Sequence, residues 1–132
     1  MDNAAQPDIV EHVSSMDFPS TVERIAAALA EAGLMLFARI DHAAGARDAG
    51  MEMPPATVLI YGHAKGGTPI MLAAPQAALD LPLRVLVRQR EDGRAVVAYH
   101  PVVALLSRAG VAPELAARLE PAQRLLIQAI TQ

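Results

Sequence analysis

Hydrophobic and polar positions along the chain predict alternating strands and helices. Residues 9–15 predict a short strand. A helix is predicted over residues 18–33, with Ser20 and Glu23 at the spacing of a capping box and Gly33 at its end. Its apolar positions recur at i, i+3, i+4 and i+7, which is typical of a helix with one buried face. These positions are Val22, Ile25, Ala26 and Leu29.

Three further segments predict the body of a sheet. Residues 34–40 predict a strand in which Leu36, Ala38 and Ile40 share a face. The unbroken apolar run in TVLIYG, residues 57–62, predicts a central buried strand with Ile60 at its centre. Residues 83–90 alternate and predict a strand that forms a hairpin with residues 94–99 through the turn EDGR. Its predicted inward residues are Leu83, Val85 and Val87.

The remaining segments predict helices. Residues 41–50 and 72–82 predict short helical pieces, and the chain after Pro101 predicts two or three short helices with a break near Glu120. The order of elements predicts an α+β fold, a two-layer α/β sandwich with helices packed on one face of a largely antiparallel sheet. We expect residues 1–132 to form one domain.

Composition excludes several classes of function. The net charge is -3 and no basic stripe is visible, so nucleic acid is not an expected partner. The chain has no cysteine, which removes disulfides and thiolate metal sites. The acidic start MDNAAQPD is unlike a signal peptide, and no apolar stretch approaches the ~18 residues of a membrane span. We therefore expect a cytoplasmic protein without a membrane partner.

The stretch GHAKGGTPIM, residues 62–71, admits two interpretations. In the first, which we favour, it is a strand-to-helix turn: Thr68 caps the helix, Pro69 is its first residue, and Gly66 and Gly67 adopt positive φ. In the second, free N–H groups at the helix start hold an anion beside Lys65. The order of Lys65 and the glycines differs from a P-loop.

Asp41 and His42 form the second candidate site, at the junction of a predicted strand and a predicted helix. Asp41 is interpreted as an N-cap. His42 is either structural or a neutral imidazole available as a ligand or a base, because a helix start disfavours its charged form.

The histidines raise the question of a metal. His12, His42, His63 and His100 lack the i, i+3 or i, i+4 spacing of a helical metal pair. His42 and His63 both follow strand ends, so their side chains could meet if the two strands are neighbours. A metal or haem site is thus an alternative, although the pattern predicts no cofactor.

Four segments carry a family resemblance: IDHAAGARDAG (40–50), PPATVLIYGHAKGGTPIM (54–71), DLPLRVLV (80–87) and DGRAVVAYHP (92–101). With them, nearly the whole chain resembles the domain of unknown function 302 family of small bacterial and archaeal proteins. The resemblance implies a two-layer α/β fold and a homodimer, and it supplies no agreed chemistry. The family usually has Gly-Asn-Pro-Lys where this chain has Gly62-His63-Ala64-Lys65.

The sequence therefore predicts a homodimeric protein that binds a small molecule or an anion. An apolar fraction of 53% in a short chain supports an interface between copies. The predicted pocket lies near Asp41, His42 and Lys65, and its other predicted ligand-binding residues are Gly66, Gly67 and Thr68. The alternatives are a small enzyme that uses His42 as acid or base, and a metal- or haem-binding protein.

Overall fold

The computed structural model describes residues 8–131, and the first seven residues, on which the signal-peptide argument rests, lie outside that range. Five strands form one sheet of order β1-β5-β4-β3-β2, and every neighbouring pair is antiparallel. The strands are β1 (Val10–Val13), β2 (Met35–Asp41), β3 (Ala56–Gly62), β4 (Leu83–Gln89) and β5 (Ala95–Tyr99).

Helices occupy the segments between and after the strands. The α-helices are α1 (Phe18–Glu31), α2 (His42–Asp48), α3 (Ala64–Ala73), α4 (Val102–Ser107), α5 (Pro113–Ala116) and α6 (Glu120–Ile130). Short 3₁₀ helices cover Pro75–Asp80 and Ala117–Leu119. The second of these separates α5 from α6, which confirms the predicted break near Glu120. The α+β sandwich is confirmed as well.

The N-cap of α1 differs from the prediction. Asp17 is the N-cap, and its carboxylate accepts a hydrogen bond of 2.9 Å from the Ser20 N–H. Ser20 therefore lies inside the first turn. Glu23 forms an ion pair of 2.8 Å with Arg39 of β2 instead of closing a capping box. The helix begins at Phe18 as predicted, but its cap is the charged side chain of Asp17 and not the hydroxyl of Ser20.

The core lies between the sheet and the helices α1, α4 and α6. The inner face of the sheet, defined as the face toward α1 and α6, carries the predicted inward residues Leu83, Val85 and Val87. Buried helical side chains meet this face, and they include Ile25, Leu29, Leu106, Leu126 and Ile130. A mostly aliphatic core follows, as the low aromatic content predicts.

The structure shows which residues of β3 face the core, and the predicted shared face of β2 is wrong. In β3, Leu59 and Tyr61 are fully buried on the inner face, and Ile60 points to the opposite, outer face. In β2, a bulge lies between Leu36 and Ala38, because Leu36 pairs with Tyr61 while Ala38 pairs with Ile60. The extra residue places Leu36 on the inner face and Ala38 on the outer face.

The outer face of the sheet has a largely apolar, partly exposed central row, with Arg84 and Arg88 on either side of it in β4. This row runs across all five strands as Ile40, Val58, Leu86, Ala98 and Glu11. Only the last of these positions is charged, and its carboxylate lies 3.3 Å from a guanidinium nitrogen of Arg88. The four uncharged positions, Ile40, Val58, Leu86 and Ala98, form an apolar strip across four neighbouring strands.

Within residues 8–131, no helix is both long and apolar enough to cross a bilayer.

Candidate functional site

A cavity of about 700 Å³ opens at the end of the sheet where β3 finishes and β4 begins. The sheet contributes Phe37, Tyr61 and Leu83 to its wall, and the helical layer contributes Met71, Leu119 and Leu125. The segment between α1 and β2 closes a further side with Leu34. Its volume falls in the range of roughly 300–1,000 Å³ that is typical of small-molecule sites.

The helix α3, which forms part of the cavity, begins earlier than predicted. It begins at Ala64, and His63 is its N-cap, with the ring Nδ1 accepting a hydrogen bond of 3.0 Å from the Lys65 N–H. Thr68 is therefore not the cap, and Pro69 lies inside the helix. The dipeptide Thr-Pro resembles a helix start because each residue suits one, but the imidazole of His63 supplies the cap upstream.

Gly66 and Gly67 serve a purpose other than the predicted one. Neither has positive φ; both are helical. A Cβ on Gly66 would lie 3.1 Å from Cδ2 of Leu119, so glycine allows the first turn of α3 to approach the segment before α6. A Cβ on Gly67 would be 3.7 Å from Cε of Met71, an ordinary contact. Close packing thus requires Gly66, and Gly67 leaves room in the cavity.

The start of α3 has few free donors for an anion. Lys65 N–H is bonded to the cap, and the N–H groups of Gly66 and Gly67 both donate to the His63 carbonyl at 3.0 Å. The Lys65 side chain is exposed and is not part of the cavity wall. The start of α3 therefore has fewer free N–H donors for an anion than the second interpretation of the sequence requires.

Polar side chains are few in the cavity and lie toward solvent. His63, Thr68, Arg118 and Gln128 all line it and are all exposed. Arg118 has no ion-pair partner among residues 8–131, and no carboxylate lines the cavity. The cavity therefore has a polar rim with one cation and an apolar interior.

Tyr61 is the exception inside the apolar wall. Its side chain is 0% exposed, and its hydroxyl has no hydrogen-bond partner within the described residues. Burial raises the pKa of this hydroxyl far above its usual range, and the electrostatic influence of Tyr99 adds to the increase. At neutral pH the group is therefore a protonated donor that lacks an acceptor.

Asp41 and His42 lie away from this cavity. Since β2 and β3 are antiparallel, Asp41 pairs with Thr57 at one end of β3, whereas Gly62 and His63 lie at the other. The Asp41 carboxylate accepts a 2.9 Å hydrogen bond from the Ala44 N–H, so its role as N-cap of α2 is confirmed. His42 is exposed and has no bonded partner in the described part of the chain. The structure thus does not join these two residues to Lys65 in one pocket.

The same geometry separates the two histidines proposed to share a metal. The strands before His42 and His63 are neighbours, but their carboxyl ends point in opposite directions. Across residues 8–131, no three side chains of His, Asp or Glu come close enough to hold a metal ion. The strand-end argument requires parallel neighbours, and this sheet has none.

Sequence reasoning missed most of the cavity, including Phe37, Tyr61 and Arg118. One signal was present: the chain has two Phe, two Tyr and no Trp, and two of these four aromatic side chains line the cavity. In a chain whose core is filled mainly by aliphatic side chains, the few aromatic residues are candidates for the wall of a cavity. The predicted residues Gly66, Gly67 and Thr68 do line it.

The cap assignments lead to a paired prediction. We expect Asp41→Ala to lower the free energy of unfolding by about 1 kcal/mol, because it removes an N-cap. Thr68→Ala should change it by less than about 0.5 kcal/mol, since Thr68 is exposed within a helix. Urea unfolding of both variants measures the difference, and a larger loss for Thr68→Ala would contradict the observed start of α3.

Comparison with curated proteins found relatives over part of the chain. A segment of 74 residues, 56% of this chain, is 39% identical to the fluoride-specific ion channel FluC 1 of Brucella suis and to that of Brucella abortus. The fluoride-specific ion channel FluC 2 of Brucella melitensis matches at the same identity. The match spans only 29%, 27% and 27% of these proteins, respectively, so the chain corresponds to less than a third of each.

Comparison with solved structures found the same fold. The crystal structure of an uncharacterized conserved protein DUF302 from Bacillus stearothermophilus superposes with a TM-score of 0.81. It covers 95% of this chain and 97% of that chain at 14% sequence identity, which is evidence for the fold alone. A family model, described as domain of unknown function DUF302, matches residues 10–132. The chain therefore belongs to the DUF302 family.

Proposed function

We propose that this protein binds a small, mainly apolar molecule in the cavity between the sheet end and the helices α3 and α6. The observation that carries the proposal is the cavity itself: about 700 Å³ of space with an apolar wall and polar groups only at its rim. An apolar wall in contact with water favours an apolar ligand, because binding removes apolar surface from water.

The composition of the wall limits the kind of ligand. Apolar side chains favour an apolar body, at roughly 25 cal/mol for each Å² removed from water. Among residues 8–131, Arg118 is the only Lys, Arg, Asp or Glu at the rim, so a neutral or anionic ligand is favoured over a cationic one. Of the predicted ligand-binding residues, Gly66, Gly67 and Thr68 remain in this proposal.

The names of the Brucella relatives raise fluoride as a competing ligand. Fluoride is a small, strongly hydrated anion, and its binding requires several donors to replace its water shell. The cavity interior offers the Tyr61 hydroxyl and little else, and the N–H groups at the start of α3 are largely occupied. The contacts therefore favour an apolar ligand over fluoride.

A test of the proposal fills the cavity without removing a core side chain. Gly67→Leu places a side chain between Met71 and Leu81 at a helical position, where Leu also has the better helix propensity. We expect the wild-type protein to bind the neutral dye Nile red with increased fluorescence, and Gly67→Leu to abolish the increase. Native mass spectrometry of purified protein provides a second measurement, since a retained ligand would add mass.

Gly45→Leu is the matched control. Gly45 is exposed in α2, nothing lies within 4 Å of a Cβ built on it, and the residue is not in the cavity wall. This variant should bind Nile red as the wild type does, and sodium fluoride should not displace the dye from either. Equal dye binding by Gly67→Leu and Gly45→Leu, with both folded, would contradict the proposed site.

We also infer a homodimer formed through the outer face of the sheet. Val58, Ile60 and Leu86 are only half-buried there, and Ile40 is 42% exposed. A flat face of one sheet can meet its own copy about a two-fold axis, because each apolar row then packs on an equivalent row. The resemblance in sequence and the high apolar fraction support the same assembly.

A further inference from the structure

The hydroxyl of Tyr61 has no explanation in the packing of the chain. Phenylalanine would fill the same volume on the inner face, and it would leave no donor unpaired. A buried tyrosine hydroxyl usually has a hydrogen-bond partner, and leaving one without a partner destabilises the folded chain. Tyr61 has none among residues 8–131, although it lies at a strand end where a polar neighbour could have been placed.

The position of Tyr61 connects this donor with the cavity. The ring is part of the cavity wall, together with Phe37 from the neighbouring strand and Leu83, which pairs with Tyr61 across β3 and β4. The nearest strand neighbours on the inner face are Leu36 and Leu83, and neither can accept a hydrogen bond. The strand neighbours therefore supply no acceptor, and a molecule that occupies the cavity is one source of an acceptor for Tyr61.

We propose that the ligand carries a hydrogen-bond acceptor oxygen, such as a ketone or ester carbonyl, on its apolar body, and that the Tyr61 hydroxyl donates to it. This inference rests on the proposed binding function and narrows it to a class of ligand. Tyr61 is then the residue that determines specificity between an oxygenated molecule and its hydrocarbon counterpart.

Because Tyr61 is fully buried, a ligand reaches its hydroxyl only after a small adjustment of the wall. The hydroxyl is shielded from solvent within the apolar layer. Met71 lines the same cavity, and methionine is unbranched and changes rotamer easily. We expect a side-chain movement of this kind to bring the carbonyl oxygen within hydrogen-bond distance of the hydroxyl.

Benzophenone and diphenylmethane provide a matched pair of probes, because they differ only by a carbonyl in place of a CH₂ group. Their affinities can be measured by displacement of Nile red or by calorimetry. We expect wild-type protein to bind benzophenone about tenfold more tightly, the effect of one hydrogen bond to an otherwise unpaired donor. In Tyr61→Phe the ratio should fall to about one while diphenylmethane still binds.

Tyr99→Phe is the control, because it removes the other tyrosine hydroxyl of the chain, which influences Tyr61 electrostatically but does not line the cavity. It should keep the tenfold ratio. Infrared spectroscopy gives a measurement that needs no variant: the carbonyl stretch of bound benzophenone should shift to lower frequency than in an apolar solvent.

The outcomes separate this inference from the proposed function. If diphenylmethane binds but wild type shows no preference for benzophenone, or if Tyr61→Phe keeps the preference, the assignment to Tyr61 is wrong while the cavity remains a binding site. If neither probe nor Nile red binds, the proposed function fails, and this inference fails with it.

Discussion

Leu59→Ala should lower the free energy of unfolding by about 2–5 kcal/mol, the range for removing a large buried side chain from a packed core. Leu59 lies in the middle of β3, between β2 and β4, on the inner face of the sheet, and it is 0% exposed. It belongs to the core cluster that also contains Ile25 and Leu29 of α1. The truncation would leave a void that a rigid sheet cannot close, so the loss should fall in the upper part of that range. Urea or guanidinium unfolding measures it.

Ile60→Ala is the matched control for that substitution. It removes a side chain of the same volume from the next residue of β3, but on the half-buried outer face. We expect a loss of about 1 kcal/mol, typical of a partly buried position. Equal losses in the two variants would mean that the outer face is as buried in solution as the inner face.

The pair of residues shows what a hydrophobic pattern can predict about a strand. The run TVLIYG correctly predicts a central strand, because an unbroken apolar segment of this length is typical of one. It does not reveal which residues face the helices, since Val58 and Ile60 are apolar as well. Alternation assigned the inward residues of β4 correctly because charged Arg84 and Arg88 mark the other face.

Alternation of apolar and polar residues also does not predict the bulge in β2. Leu36, Ala38 and Ile40 have the spacing of one face, yet the extra residue after Leu36 divides them between two faces. The apolar content of β2 fits either arrangement. In the bulged register, Arg39 lies opposite Leu59 on the inner face, where its guanidinium reaches Glu23 of α1. Without the bulge, Arg39 would lie on the outer face.

Only the part of the candidate site that is contiguous in sequence, residues 66–68, could be predicted. The glycines near residue 66 correctly indicate an unusual strand-to-helix junction, and three residues predicted there do line the cavity. The reason for Gly66 is a contact with Leu119, more than fifty residues later in the chain, which no local pattern contains. Tyr61, Phe37 and Arg118 come from separate segments, and only the folded chain brings them together.

Leu86→Asp should convert the proposed dimer into a monomer. Leu86 lies in the middle of the apolar row on the outer face, between Val58 and Ala98. A carboxylate there would lose its hydration in the interface, at a cost of several kcal/mol that Arg84 and Arg88, which flank it on the same face, only partly offset. In a two-fold assembly each subunit brings its own carboxylate, so the dissociation constant should rise roughly 100-fold or more. Sedimentation over a range of concentrations measures the change.

Leu79→Asp makes the same chemical change elsewhere and serves as the control. Leu79 is 83% exposed in the 3₁₀ helix before β4, outside the sheet, so this variant should sediment as the wild type does. Circular dichroism of both variants establishes that each subunit is folded, which distinguishes lost association from lost structure. A wild-type protein that is monomeric at micromolar concentration would contradict the homodimer itself. A dimer that persists with unchanged affinity in Leu86→Asp would place the interface elsewhere, because burying a new carboxylate from each subunit at the centre of this row must weaken the contact between two outer faces.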